Sequence, residues 1–422
     1  MMEKETKFKQ TEIGLMPEDW EVISFDDIEF YKGKKPKEIS LEPKKGFLPQ
    51  ILIEVLDGNP PIYANPEDCI ICKKDDLIMV MDGASSGRIS NGFKGILGST
   101  LAIVKQKNNI IDNKFLYFVF LNKQSELRGN TTGSAIPHAD KNRINSMKIA
   151  VPKSKEEQSA IASTLSSLDS KIELNRQMNK TLEAIGQAIF KHWFVDFEFP
   201  NEEGKPYKSS GGEIVNSELG EIPKGWRVSK IGDELKTVLG GTPSTTKKSY
   251  WESGTIGWIN SGKINEFRIT EPTAYITEEA VNNSATKLLP KGTAVLAITG
   301  ATLGQVSRIE IGTCANQSVI GIIESKTISS EYIYFWIKYT IGEIIRNQTG
   351  GAQQHINKNN VDNSTILIPS EKVIEEYQRI IKPIFDKISL ACFESLTLSQ
   401  LRDLLLPKLM TGKIRVPLEE KE

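Results

Sequence analysis

The sequence predicts an α/β protein of two similar domains separated by two long antiparallel α-helices, paired as a coiled coil, with an internal pseudo-twofold repeat. Three observations lead to this class. TEIGLMPEDWEV (Thr11–Val22) returns as SELGEIPKGWRV (Ser217–Val228), so that Trp20 maps to Trp226. DGASSG (Asp82–Gly87), NTTGSAIPH (Asn130–His138) and KIAVP ending at Pro152 return as TGATLG (Thr299–Gly304), NQTGGAQQH (Asn347–His355) and ILIP ending at Pro369. A long stretch with helical periodicity follows each copy. Solenoid repeats run to roughly 20–50 residues, so a period this long is a duplicated domain with its own helix.

Taken in order, residues 1–152 form the first domain, with strand-like runs Leu48–Val55, Asp76–Met81 and Ile96–Lys105 and a short helix at Phe115–Leu127. Residues 153–195 are the first long helix: Ile161, Leu165, Leu168 and Ile172 recur at spacings of 4, 3 and 4, and Met178, Leu182, Ile185 and Ile189 resume the rhythm. About 38 residues of helix would span roughly 57 Å. Residues 196–216 are a polar linker containing Gly, Ser and Pro, residues 217–370 the second domain, and residues 371–422 the second helix and C-terminal segment. In that helix Ile381, Phe385, Ile388 and Cys392 repeat the seam, and Pro383 is expected to kink or restart the first turns. A narrow apolar face is unstable alone, so the simplest burial of both seams is against each other. An antiparallel pair would put the domains at opposite ends and relate the copies by a pseudo-twofold axis. The second copy carries extra residues in its first half, where Ile276–Gly292 has no full counterpart before Asp76.

Composition sets limits. The chain has 422 residues, 25% of them charged and 39% hydrophobic, enough for two or three domains with proper cores. No run approaches the ~18 apolar residues of a membrane span, and MMEKETKFKQ lacks the apolar core of a signal peptide, which argues for a cytoplasmic protein. Cys69 and Cys72 form a C-x-x-C in a strand-like run, where residues three apart face opposite ways, so buried thiols are expected rather than a metal site. NPPIY (Asn59–Tyr63) departs from the methyltransferase N-P-P-[YF] loop by one residue and has no cofactor-binding strand–turn–helix before it; it reads as a Pro-rich turn. The net charge of −1 and pI of about 6.4 are less basic than usual for a free-standing nucleic-acid binder, but leave room for local basic patches and a basic partner.

The repeated Gly/Ser/Thr/Asn loops are the candidate binding elements. Their short side chains can bond phosphate oxygens, their glycines permit close backbone approach, and Gln, Asn and Arg can read base edges. They supply Ser85, Arg88, Thr132, Ser134 and His138 in the first copy, and Thr302, Gln305, Gln348, Gln353, Gln354, His355 and Lys358 in the second. Arg88, Gln353 and Gln354 are the candidate base readers, because Arg suits guanine and Gln adenine. Lys34, Lys35, Lys247 and Lys248, with Tyr250 beside the second pair, fit phosphate contacts with aromatic support. Ordinary turns and solvated loops remain the competing readings. No P-loop, nuclease carboxylate set or helicase motif is present in the sequence.

Four pieces in the right order resemble the specificity subunit of type I restriction–modification enzymes across essentially the whole chain. They are the L/I-G-x-[IM]-P-x-x-W opening of each copy, the T-G-[SG]-A loops, HWFVDFEFP (His192–Pro200), and LRDLLLPKLMTGKIRV (Leu401–Val416). The resemblance implies a non-catalytic subunit with two target-recognition domains, each reading one half of a split double-stranded DNA sequence. It also implies that the helix pair holds two methyltransferase subunits and, in the restriction complex, two motor–nuclease subunits. No cofactor or metal is then expected in this chain; S-adenosylmethionine, ATP and Mg would sit on the partners. Rival readings are the same architecture in a methylation-only or type II system, a self-contained methyltransferase, and a coiled-coil scaffold without a DNA role.

Overall fold

The computed structural model describes residues 6–26, 28–108, 110–129, 131–132, 138–346 and 356–418. The chain divides into two compact units, Met1–Lys171 with Leu398–Glu422, and Ile172–Thr397. The boundaries therefore fall inside both long helices, rather than only at the linker.

The first unit is built on an antiparallel sheet of β1 (Ile28–Lys32), β2 (Leu77–Val80), β3 (Ile89–Ser90) and β4 (Leu101–Gln106), in the order β3-β2-β4-β1. Strand β2 reads Leu-Ile-Met-Val and is buried on both sides. Leu77 and Met79 enter a core with Phe115, Phe118 and Trp20, whereas Ile78 and Val80 enter another with Ile51, Leu97 and Leu101. A period-2 strand between two apolar layers must read as a continuous apolar run. The second layer is a smaller mixed sheet in which Leu48–Ile51 runs parallel to Gly95–Leu97. Helix α1 (Asn113–Asn122) starts at Asp112, whose carboxylate accepts from the N–H groups of Lys114 and Phe115. Trp20–Ser24 pairs with Lys148–Pro152 and leads into α2 (Lys155–Phe194).

The second unit repeats this plan with β5 (Lys236–Leu239), β6 (Ala294–Ala297), β7 (Val306–Arg308) and β8 (Val319–Ile323), in the order β7-β6-β8-β5. Its small sheet again has a parallel pair, Ile256–Ile259 with Thr313–Ala315, and Arg227–Lys230 pairs with Thr365–Ile368. Helix α3 (Ser330–Arg346) covers the sheet and α4 (Glu371–Met410) follows. The extra residues of this copy include a short helix, Glu278–Asn282, between its Ala274–Ile276 strand and β6. Gly33 and Gly240 hold equivalent tight places after β1 and β5. A Cβ on Gly33 would collide with the carbonyl oxygens of Leu97 and Gly98, and one on Gly240 with those of Ala315 and Asn316.

Within each unit α2 and α4 run antiparallel. In the second, Asn175 Nδ2 lies 2.7 Å from Glu394 Oε2, and Gly186 faces Ile381. In the first, Asp169 pairs with Arg402 at 2.7 Å and Glu157 with Arg415 at 2.6 Å. Each core takes side chains from both helices: Ile161, Leu165, Leu406 and Leu409 in the first unit, and Phe190, Phe194, Tyr377 and Ile381 in the second.

Several local expectations are revised. Helix α4 is one element through Pro383, so no restart occurs there. The run Leu48–Val55 is strand only to Ile51 and then turns into a helical turn, Ile53–Leu56. The run Ile96–Lys105 is two strands, because a turn closed by Leu101 N–H to the Gly98 carbonyl (3.0 Å) interrupts it. The segment 196–216 is not a bare connector: Phe199 stacks on Tyr207 (4.6 Å between centroids) and on Trp226 (4.9 Å). Cys72 is fully buried with its thiol 3.4 Å from the Gly95 carbonyl, while Cys69 is half-buried.

A buried ionic network that no sequence pattern announces lies in the second unit. Arg268, with a fully buried side chain, donates to Glu183 of α2 (2.8 Å) and to the Tyr334 hydroxyl (3.0 Å), and its guanidinium lies over the Tyr334 and Phe385 rings. Lys338 also reaches Glu183, at 2.9 Å. Burial pushes the Glu183 carboxyl up, but the charges of Arg268 and Lys338 and the hydrogen bonds from Lys338 and Tyr334 outweigh it, so its pKa falls below the ordinary 4.5. A depressed carboxylate stabilises the fold above its unfolded pKa, and that contribution disappears as pH falls through the folded value. Glu183→Gln should cost up to roughly 3–5 kcal/mol, since it leaves the buried Arg268 only the more distant Glu310 carboxylate, 3.6 Å from its Nε, as a countercharge. It should also remove the part of the acid destabilisation that Glu183 contributes as pH falls from 4.5 through its lower folded value. Urea unfolding of wild type and variant at neutral and acid pH checks this; equal losses at both pH values would contradict it.

Candidate nucleic-acid interface

Strands β1 and β2 are both antiparallel to β4, so they point the same way and their C-terminal ends emerge at one end of the sheet. The loop carrying Lys34 and Lys35 and the loop carrying Ser85 and Arg88 therefore leave from the same end. The same holds for β5 and β6, which lead to the Lys247 and Thr302 segments. A third chain segment joins each pair: Ala139 N–H donates to the Met81 carbonyl (2.8 Å), and its repeat equivalent Ile356 N–H to that of Ile298 (3.0 Å). Gly87 N–H to Val80 (2.8 Å) and Gly304 N–H to Ala297 (2.9 Å) close the two glycine loops identically. Loops distant in sequence thus meet at the same end of both sheets, held by the same backbone hydrogen bonds.

The side chains differ in how they are engaged. Lys34, Lys35 and Lys248 are exposed, and among the described residues no carboxylate forms an ion pair with them. Lys247 is held by Glu279 (2.6 Å) above the Tyr250 ring (4.1 Å to the centroid), and Tyr250 itself is buried. Arg88, expected to read a base, is clamped to Asp57 at 2.5 Å and to the Leu56 carbonyl at 3.0 Å. Ser85 is half-buried beside it, with its carbonyl accepting from Arg88 N–H. Thr302 is half-buried with its hydroxyl 3.4 Å from the Thr299 carbonyl, and Gln305 is exposed. Lys358 pairs with Asp362 (2.5 Å), which also accepts from Thr237 of β5. Thr132 is described only as backbone, in a two-residue strand pairing with His138. Ser134, Gln348, Gln353, Gln354 and His355 lie outside the described residues.

Sequence reasoning does not single out Asp82, and takes Lys32 only as the start of the basic run Lys32–Lys37 suited to phosphate. The Asp82 carboxylate is 2.6 Å from His138 Nδ1 and 2.6 Å from Lys32 Nζ. Burial pushes this carboxyl up, and the hydrogen bonds and charges of Lys32 and His138 more than reverse that, holding it below the usual carboxylate value. Asp82 opens the repeated loop, but its counterpart is Thr299, so a search for recurring residues passed over it. Among the described residues no group of three or more His, Cys, Asp and Glu side chains is placed to hold a metal ion, and no helix is long and apolar enough to cross a membrane.

The chain resembles known proteins over nearly its whole length. The family model described as "Type I restriction modification DNA specificity domain" matches twice, over residues 17–184 and 223–400. The type I restriction enzyme MjaIX specificity subunit of Methanocaldococcus jannaschii is 30% identical over 432 residues, covering 98% of this chain and 97% of that protein. The HindI specificity subunit of Haemophilus influenzae is 26% identical, covering 81% of this chain and 87% of its own. The solved structure of the S subunit of a type I restriction–modification system from M. genitalium covers 92% of this chain and 96% of its own at 16% identity, with a TM-score of 0.57, and so shares the fold. The chain belongs to the family of type I restriction–modification DNA specificity subunits.

If the exposed lysines touch phosphates, replacing Lys34, Lys35 and Lys248 by Ala should weaken DNA binding across all sequences. The log–log salt slope should flatten by about 0.9 per lost contact. Lys247→Ala should do less, because Glu279 already offsets its charge. Binding isotherms at several salt concentrations check this, and an unchanged slope in the triple variant would assign these lysines to bulk solvent.

Proposed function

We propose that this chain reads a bipartite DNA target, one half with each unit, and directs partner subunits that methylate adenine or cleave. The observation that carries the reading is the twofold occurrence of one loop-bearing sheet end, with the same backbone hydrogen bonds and different side chains. Two methyltransferase subunits are the partners this implies, one for each equivalent set of hairpin, sheet and helix, with two motor–nuclease subunits joining in the restriction complex. S-adenosylmethionine, ATP and Mg belong to those partners in this reading, and the assembly works in the cytoplasm.

Each recognition module closes at a narrow neck: Phe25 N–H donates to the Met147 carbonyl (3.2 Å) and Ile231 N–H to the Ser364 carbonyl (2.9 Å). Exchange between these points leaves Trp20, Trp226 and both long helices in place. Replacing residues 25–147 by the equivalent module of another family member should change one half of the methylated motif and leave the other intact. Methylation-sensitive sequencing of host DNA reads the outcome; a change in both halves, or a single continuous motif, would defeat the bipartite reading.

A further inference from the structure

The first unit has at its sheet end a charged cluster that the second does not. Lys32 closes β1, Asp82 follows β2, and His138 forms a β-bridge with Asp82, so three separate segments converge. Each Asp82 oxygen takes one donor, Lys32 Nζ on Oδ2 and His138 Nδ1 on Oδ1, both at 2.6 Å. A carboxylate accepts only, so His138 donates from Nδ1 and its ring is spent on holding Asp82. The Lys32 and His138 side chains are each about half exposed, whereas Asp82 is mostly covered. In the second unit Thr299 replaces Asp82, and Leu239, just before the equivalent Gly240, replaces Lys32.

We propose that Lys32 reads an acceptor-bearing base edge, that of a guanine, in the first half-site, and that Asp82, held in place by His138, is the positioning residue that aims it. Phosphate is the poorer ligand for this cluster, because a carboxylate at its centre offsets the Lys32 charge. A neutral edge with two acceptors, guanine N7 and O6, has the converse match. The Lys32 ammonium keeps two donors beyond the one spent on Asp82. The neighbouring Lys34 and Lys35, exposed and in no ion pair among the described residues, are better placed for phosphate. Fixing a long lysine side chain before binding lowers the entropy cost of using it as a reader.

This inference rests on the bipartite reading above. The test uses the full chain assembled with its methyltransferase subunits and a DNA pool randomised in both half-sites. Asp82→Thr, Lys32→Gln and His138→Gln should each cut guanine preference at one position of the first half-site by roughly 10- to 100-fold. Preferences in the second half-site and the salt slope should stay as in wild type. Placing 7-deazaguanine at that position should weaken wild type and leave Asp82→Thr little affected. Uniform weakening across sequences, an unchanged preference, or a wild-type first half-site lacking guanine would overturn the proposal. If Asp82→Thr lowers the melting temperature, the two variants at half-exposed positions decide alone. A wild-type complex that selects no bipartite motif would instead sink the functional reading itself.

Discussion

The structure depends on the burial of two narrow apolar helix faces that cannot remain in water. Helices α2 and α4 each supply side chains to the cores of both units. Their antiparallel course means that the N-terminal part of one and the C-terminal part of the other meet in the same unit. Trp20 shows the consequence. It is fully buried, its indole N–H lies 3.4 Å from Glu157 of α2, and Glu157 also holds Arg415 from beyond the end of α4. Residues nearly the whole chain length apart therefore stabilise one corner. In the second unit Trp226 occupies the same corner, stacked on Phe199 from just beyond α2.

On that frame each recognition sheet is buried on both faces, which leaves its ends as the free places. Strand β2 and its repeat β6 alternate side chains between two cores, so no side chain of theirs is available to a ligand. The loops leaving one end are therefore where the proposed recognition has room to sit. Gly33 and Gly240 keep those loops pressed on neighbouring carbonyls, where any Cβ would force the backbone apart. A rigid scaffold with variable loops is the arrangement in which side chains can be exchanged at little cost to stability.

The duplication, the two helices and their antiparallel pairing were legible because motif recurrence and heptad-like spacing are one-dimensional signals. The loops were legible as a set for the same reason. What they touch was not. Arg88 and Asp57 lie far apart in sequence and nothing in either segment forecasts their clamp. Glu183 reads as one more polar position on a helix, yet it is the acceptor for the buried Arg268, which itself follows an unremarkable Glu-Phe pair. Asp82 escaped because a search for recurrence discards differences, and its counterpart is a threonine. Pro383 misled in the opposite direction: a missing N–H costs less when packing on both sides holds the helix, and Ile381 and Phe385 flank it with fully buried side chains.

The differences between the copies are then the informative part of the repeat. Backbone hydrogen bonds at Met81–Ala139 and Ile298–Ile356 are the same interaction made twice, so they report what any such module needs to fold. Asp82 against Thr299, Arg88 against Gln305 and Lys32 against Leu239 sit on that common backbone and share neither charge nor shape. Stability cannot demand them, since the other unit folds without them. Two modules under one folding constraint and two different chemical surfaces are what a reader of an asymmetric, two-part sequence requires. A symmetric pair of surfaces would confine the target to a palindrome. The near-zero net charge fits the proposed division: were affinity drawn from a few exposed lysines and from partners, the loop side chains would be free to discriminate rather than merely attract.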